Sequence, residues 1–113
     1  MTDITNSVAT GFHRRIWRQD VALDIDRRTA TVRARSVELT KQEFDLLAQL
    51  LAHPGIVFSR KSLLAKVWGA DIDVTERTVD TVICRLRRKV EVDAQDPRLI
   101  LTLRGVGYRF FGY

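Results

Sequence analysis

At Leu39-Thr40 the hydrophobic period of this chain changes from two to 3.6, and near Leu99 it changes back. A period of two places alternate side chains on one buried face of a strand, and a period of 3.6 lines up one face of a helix. The chain therefore reads as strands, then helices, then strands, which sets its class as α+β. At 113 residues it is the size of one domain. Residues 1–13 are polar, without an apolar period, and read as a flexible tail or linker remnant, leaving 14–113 as the domain.

In the first region, from about Trp17 to Leu39, Val21, Leu23 and Ile25 alternate with Ala22, Asp24 and Asp26. Asp26-Arg27-Arg28-Thr29 reads as a polar turn, Ala30, Val32 and Ala34 alternate again, and Arg35-Ser36 reads as a second turn before Val37 and Leu39. This pattern predicts a small antiparallel sheet with one buried face.

Thr40-Lys41-Gln42-Glu43 opens the helical region as a capping box, with Leu39 and Phe44 spaced for a hydrophobic staple. Phe44, Leu47, Ala48, Leu50 and Leu51 form the stripe of a first helix, which His53-Pro54-Gly55 ends. Ser59 caps a second helix, Leu63, Leu64, Val67 and Trp68 face inward, and Gly69 stands just past its end. A very short strand over Ile56-Val57-Phe58 fits between the two helices. A third helix starts near Thr75 and runs to about Val90, with Val79, Val82, Ile83, Leu86 and Val90 as its apolar series. From Leu99 to Phe111 two strand-like runs flank Arg104-Gly105-Val106-Gly107, the signature of a β-hairpin.

Charge alone does not decide the function, so its placement must. Formal net charge is +5 and the isoelectric point is about 10.0, a balance that favours polyanions, nucleic acid first. On a wheel of about 100° per residue, Arg77, Thr81, Cys84, Arg85 and Arg88 lie opposite the apolar side of the third helix, while Arg87 and Lys89 flank the seam and Asp80 falls near Arg87. A row of guanidinium groups broken only by small side chains suits a DNA major groove, where arginine forks onto guanine or clamps phosphate. Arg104, at the bend of the hairpin, suits the narrow and electronegative minor groove. A helix-turn-helix order before the basic helix and a basic hairpin after it favour this reading over a merely solvated helix face. Trp17, Phe44, Trp68, Tyr108 and Phe110 read as core rather than as base-stacking aromatics.

Other chemistries find little support. The single cysteine, Cys84, excludes an internal disulfide, and with His13 and His53 it does not make up the roughly four closely spaced ligands of a zinc site. No acid/base constellation is visible, so the chain is expected not to be an enzyme and to need no cofactor. No apolar run reaches the roughly 18 residues of a membrane span, and no signal peptide is evident, so a cytoplasmic location is expected.

Several segments together carry a family resemblance. Leu39 to Leu47, Ser59 to Leu64 and Val67-Trp68-Gly69 resemble the corresponding parts of the OmpR/PhoB-type winged-helix domain. The strongest matches are Arg77-Thr78-Val79-Asp80, Arg85 to Lys89, and Arg104-Gly105-Val106-Gly107-Tyr108-Arg109-Phe110. The resemblance spans about Val21 to Phe111 and implies a winged helix-turn-helix with an N-terminal four-stranded antiparallel sheet, three helices and a C-terminal hairpin wing. It implies a sequence-specific double-stranded DNA-binding output domain of a two-component response regulator. Arg77, Thr78, Thr81, Arg85, Arg87, Arg88 and Arg104 would be its DNA-binding set. Asp71 and Asp73 lie in a loop, Ala70 to Val74, that the resemblance implies touches RNA polymerase; from the residues alone they are loop and capping groups or a protein-contact surface. Family members bind direct repeats as head-to-tail pairs, and most carry an N-terminal receiver domain phosphorylated on aspartate. This chain has no room for one, which implies a fragment, or a stand-alone or differently fused effector. The free domain is expected to be a monomer. Val82 and Cys84 depart from the polar or basic residues that many members place against DNA, so base readout is not assigned to either. The alternative of a different class is a winged helix used for protein–protein contacts, which would tend to expose apolar residues on its wing.

Overall fold

A computed structural model describes residues 14–69 and 73–112. The expected tail, residues 1–13, lies outside the described residues, as does Asp71. The elements are β1 (Arg15–Arg18), β2 (Val21–Asp24), β3 (Thr29–Val32), β4 (Arg35–Val37), α1 (Lys41–Ala52), α2 (Arg60–Trp68), α3 (Glu76–Val90), β5 (Ile100–Leu103) and β6 (Gly107–Phe110). Strands β1 to β4 form one antiparallel sheet in sequence order, and β5 and β6 form the C-terminal hairpin.

The N-terminal sheet buries Val21 and Leu23 on β2 and Ala30 and Val32 on β3, as alternation requires. Its last turn sits two residues earlier than the sequence suggests. Arg33 and Ala34 make the turn, with φ of 49° and 65°, and Arg35 and Ser36 belong to β4, pairing with Val32 and Thr31. Ala34 is consequently exposed rather than part of the alternation. Two positive φ angles match a two-residue turn of the kind that follows strand twist, but the chain supplies neither glycine nor asparagine there. The sheet also begins earlier than Trp17, and β1 brings that residue out on the open face. Trp17 is 69% exposed, which corrects its assignment to the core. Phe44, Tyr108 and Phe110 are buried, and Trp68 is partly buried against the core.

Helix α1 starts as its capping box dictates. The Glu43 amide donates to Thr40 Oγ1 at 3.2 Å and the Thr40 amide to Glu43 Oε1 at 3.0 Å. Leu46 joins the anticipated stripe as a fully buried residue. Ser59 caps α2 by accepting from the Ser62 amide at 3.0 Å, and Gly69 ends it with a φ of 68°. Phe58 contributes a single antiparallel bridge to Tyr108, with amide–carbonyl distances of 2.8 and 3.0 Å, so the expected short strand is one residue of pairing. Gly107 makes that pairing possible. A Cβ on it would overlap the Phe58 carbonyl oxygen and come within 2.9 Å of Ser59 Cα. Gly107 thus belongs to β6, and Gly105, at φ 79°, is the residue that turns the bend.

One core joins all the elements: the inner faces of β2 and β3, the stripes of α1 and α3, Leu63 of α2, and Ile100, Tyr108 and Phe110 of the hairpin. Among the described residues no helix is long and apolar enough to cross a membrane.

Candidate nucleic-acid interface

Helix α3 buries Val79, Val82, Ile83, Leu86 and Val90, and this fixes its rotation. Arg77, Thr81, Cys84, Arg85 and Arg88 are then exposed together on its outer face, and Thr78 lies half-buried at the edge. Val82 is only 5% exposed, consistent with its exclusion from base readout. The Thr81 hydroxyl donates back to the Arg77 carbonyl at 3.2 Å. The acidic first turn and basic last turn of α3, with Glu76 at one end and Arg87, Arg88 and Lys89 at the other, both complement the helix dipole.

The two flanks of α3 are gripped differently. On one side Lys89 donates to Glu43 Oε1 at 2.6 Å and to the Glu38 carbonyl at 3.0 Å. Glu43 is 1% exposed, and burial by itself would raise its pKa; the Lys89 ammonium and the Thr40 amide outweigh that and hold it below the ordinary glutamate value. On the other side Arg87 does not join the outward row. Its guanidinium donates to the Ile100 carbonyl at 2.7 and 3.1 Å and to Thr102 Oγ1 at 2.7 Å, clipping β5 to the helix. Asp80 falls near Arg87, as the wheel suggested: both meet Tyr108, Asp80 at the hydroxyl and Arg87 over the ring at 5.7 Å. Asp80 receives a two-pronged contact from Arg60 at 3.1 and 2.8 Å and a hydrogen bond from the Tyr108 hydroxyl at 2.7 Å. Burial, and then the Asp80 carboxylate that accepts its hydrogen bond, push the Tyr108 pKa up to about 12, so the hydroxyl remains a donor throughout the physiological range. The partners of Asp80 sit 20 and 28 residues away in the chain, which is why local spacing did not reveal them.

The bend of the hairpin is exposed at Arg104, Gly105 and Val106. It stands beside a cleft of about 280 Å³ whose walls include Ser59, Lys61, Glu76 and Val106, so the hairpin tip flanks the starts of α2 and α3. Val106 is 58% exposed, so this wing shows one apolar side chain beside its arginine. Asp73 is exposed in the loop before α3.

The arginines of this surface share one state. Many arginines elsewhere are committed: Arg28 to Asp45 at 2.9 Å, Arg33 to the Val90 carbonyl at 3.0 Å, Arg60 to Asp80, and Arg87 to β5. Two are not: Arg35 is exposed on β4 without a hydrogen bond or ion pair among the described residues, and Arg109 on β6 has a buried Nε without a hydrogen-bond partner. The guanidinium groups of Arg77, Arg85, Arg88 and Arg104 make no hydrogen bond or ion pair to any described residue. A cation without an internal partner stays hydrated and available to an external anion.

A helix-turn-helix (α2 and α3) followed by a hairpin wing and preceded by a four-stranded sheet defines a winged-helix domain. Residues 34–110 match the family described as "Transcriptional regulatory protein, C terminal", and the chain belongs to that family, of the OmpR/PhoB type. It is 42% identical over 90 residues to the DNA-binding response regulator MtrA of Mycolicibacterium smegmatis, a match that takes in 80% of this chain and 40% of MtrA. The chain thus spans about 40% of the length of that relative. Among solved structures it superposes on the response regulator DrrB, an OmpR/PhoB homolog of Thermotoga maritima, with a TM-score of 0.79 and 37% identity over 87% of this chain and 44% of that one. It superposes on the Klebsiella pneumoniae RstA DNA-binding domain, solved in complex with the RstA box, with a TM-score of 0.78 and 33% identity, covering 88% of this chain and 98% of that one.

Proposed function

We propose that residues 14–113 are a non-catalytic, sequence-specific double-stranded DNA-binding unit that regulates transcription. The observation that carries this reading is the set of exposed arginines, on the outer face of α3 and at the bend of the β5–β6 hairpin, that make no hydrogen bond or ion pair among the described residues. Arg77, Arg85 and Arg88, with Thr78 and Thr81 between them, form the face that enters the major groove, and Arg104 reaches the minor groove. Arg87 serves the interface from behind, through β5. The relatives add support, since MtrA is a DNA-binding response regulator and the RstA domain was solved on its DNA box. By the same kinship the unit acts in the cytoplasm as the output part of a two-component system. It is a monomer when free, sits head-to-tail on direct repeats, and turns the loop that holds Asp71 and Asp73 toward RNA polymerase.

Selection of bound sequences from random duplex DNA at physiological salt tests the reading. A single recovered motif, present as a direct repeat, is the expected outcome. Retention of duplex without any enriched motif would refute sequence-specific readout.

A further inference from the structure

Helix α3 carries a third face, neither apolar nor outward. Glu76, Asp80 and Arg87 are spaced i, i+4 and i+11, which at about 100° per residue confines them to roughly 40° of the helix circumference. Glu91 stands just beyond the last turn. All four polar groups are engaged with structure outside the helix. Glu76 and Asp80 meet Arg60 at 3.7 and 2.8 Å, and Asp80 also holds the Tyr108 hydroxyl. Arg87 takes the Ile100 carbonyl and Thr102. The buried Glu91 carboxylate accepts the amides of Arg98, Leu99 and Ile100 at 2.7 to 3.1 Å.

The hairpin is thereby tied to α3 at its base by Glu91, along β5 by Arg87 and along β6 by Tyr108. Apolar burial is non-directional and tolerates small rotations of one element over another. Hydrogen bonds of 2.7 Å are directional, and those with a charged partner are the stronger kind. The polar row, rather than the core beneath it, therefore sets the angle between helix and hairpin.

We propose that this row is a positioning device for DNA recognition, in which the Tyr108 hydroxyl, through Asp80, fixes where Arg104 stands relative to the cationic face of α3. Tyr108 and Asp80 are positioning residues, acting through Arg104. The inference rests on the DNA-binding reading for its consequence and on the geometry alone for its mechanism.

The test combines two measurements on Tyr108→Phe, which keeps the ring and removes only the hydroxyl. The first needs no DNA. A nitroxide pair is placed on the exposed Cys84 and on a cysteine introduced by Val106→Cys, and the distance distribution is read by pulsed dipolar spectroscopy. A narrow distribution is expected with Tyr108 and a broader or shifted one with Tyr108→Phe; identical distributions would overturn the proposal. The second is a double-mutant cycle on duplex DNA. Arg104→Ala in the parent should lower the salt slope by roughly one, and in the Tyr108→Phe background it should lower it by less than about half of that. The effect of Arg85→Ala should be the same in both backgrounds. An Arg104→Ala effect of undiminished size in Tyr108→Phe would refute the positioning role while leaving DNA binding intact. A parent protein that binds no duplex, with the spin-label distribution still broadened by Tyr108→Phe, would refute the DNA-binding reading and uphold the tie between hairpin and helix.

Discussion

The N-terminal sheet and the C-terminal hairpin are built from the same unit, antiparallel strands of three or four residues joined by tight turns, and the β2–β3, β3–β4 and β5–β6 turns carry arginine. They use that arginine in opposite ways. At the turns of the N-terminal sheet Arg28 lies over the Phe44 ring at 4.5 Å and pairs with Asp45, and Arg33 completes the C-terminal end of α3 by donating to the Val90 carbonyl. Arg104 at the hairpin bend points to no described acceptor. The sheet's turn arginines thus add to its apolar attachment to the helices, whereas the hairpin is fastened through Tyr108, Thr102 and main-chain groups and keeps Arg104 exposed at its bend. Arginine content alone would not separate these turns; the presence or absence of an internal partner at Arg28, Arg33 and Arg104 does.

The comparison predicts that damage to the sheet appears as lost stability and damage to the hairpin as lost binding. The largest expected effect is on the sheet side. Leu23→Ala removes a fully buried side chain and should cost about 2–5 kcal/mol of unfolding free energy. Urea denaturation measures it, and a cost below about 1 kcal/mol would mean that the sheet is not part of the common core.

Next comes the helix face that shares its behaviour with the hairpin. Arg85→Ala should weaken binding to the selected sequence by about 1–3 kcal/mol and weaken binding to random duplex by less. Its urea midpoint should stay close to the parent value, because the side chain is exposed and has no hydrogen-bonding partner among the described residues, acting within the fold only as a charge near Glu43. Equal losses on both duplexes would assign Arg85 to phosphate contact only.

A smaller effect sharpens the contrast from the other side. Arg28→Ala breaks an ion pair that is partly exposed and a stacked contact on Phe44, so it should cost roughly 1 kcal/mol of stability or less. Its affinity for DNA should stay at the parent value.

The smallest is a pH effect confined to the hairpin. The Tyr108 pKa is raised from 10.0 to about 12 by burial and by Asp80. A group whose pKa is higher in the folded state stabilises the fold fully below its unfolded value and loses that contribution as pH climbs to the folded one. The parent should therefore lose stability between about pH 10 and 12 in excess of Tyr108→Phe, as followed by thermal unfolding across that window. Identical alkaline profiles would mean that the hydroxyl is not held by Asp80.

How far these distinctions can be read from the chain depends on the distance over which each is encoded. The Thr40–Glu43 box, the Ser59 cap and the glycine that ends α2 are set within a few residues, and the sequence shows them directly. The rotation of α3 follows from its five apolar positions, so the outward placement of Arg77, Arg85 and Arg88 is also legible. The turn at Arg33-Ala34 is not, because its left-handed backbone is imposed by the strands on either side rather than by the residues that adopt it. Trp17 misleads because a strand offers two faces and an aromatic residue suits either. The partners of Arg87 are hidden for another reason. The wheel already sets Arg87 at the seam and Arg88 on the outer face, but only the fold brings the Ile100 carbonyl and Thr102, 13 and 15 residues away, within reach of Arg87.

The most direct test of the account sets the two turn arginines against each other. Fluorescence anisotropy titrations of Arg104→Ala and Arg28→Ala, at several salt concentrations and on both the selected sequence and random duplex, read affinity and salt slope together. Arg104→Ala should weaken binding to both duplexes by similar factors and lower the salt slope by roughly one, as the loss of one charge in the minor groove requires. Arg28→Ala should leave both quantities at the parent values. An Arg104→Ala protein with unchanged affinity and unchanged slope, or an Arg28→Ala protein with a lowered slope, would contradict the claim that Arg104 meets DNA while Arg28, held by Asp45, serves the fold.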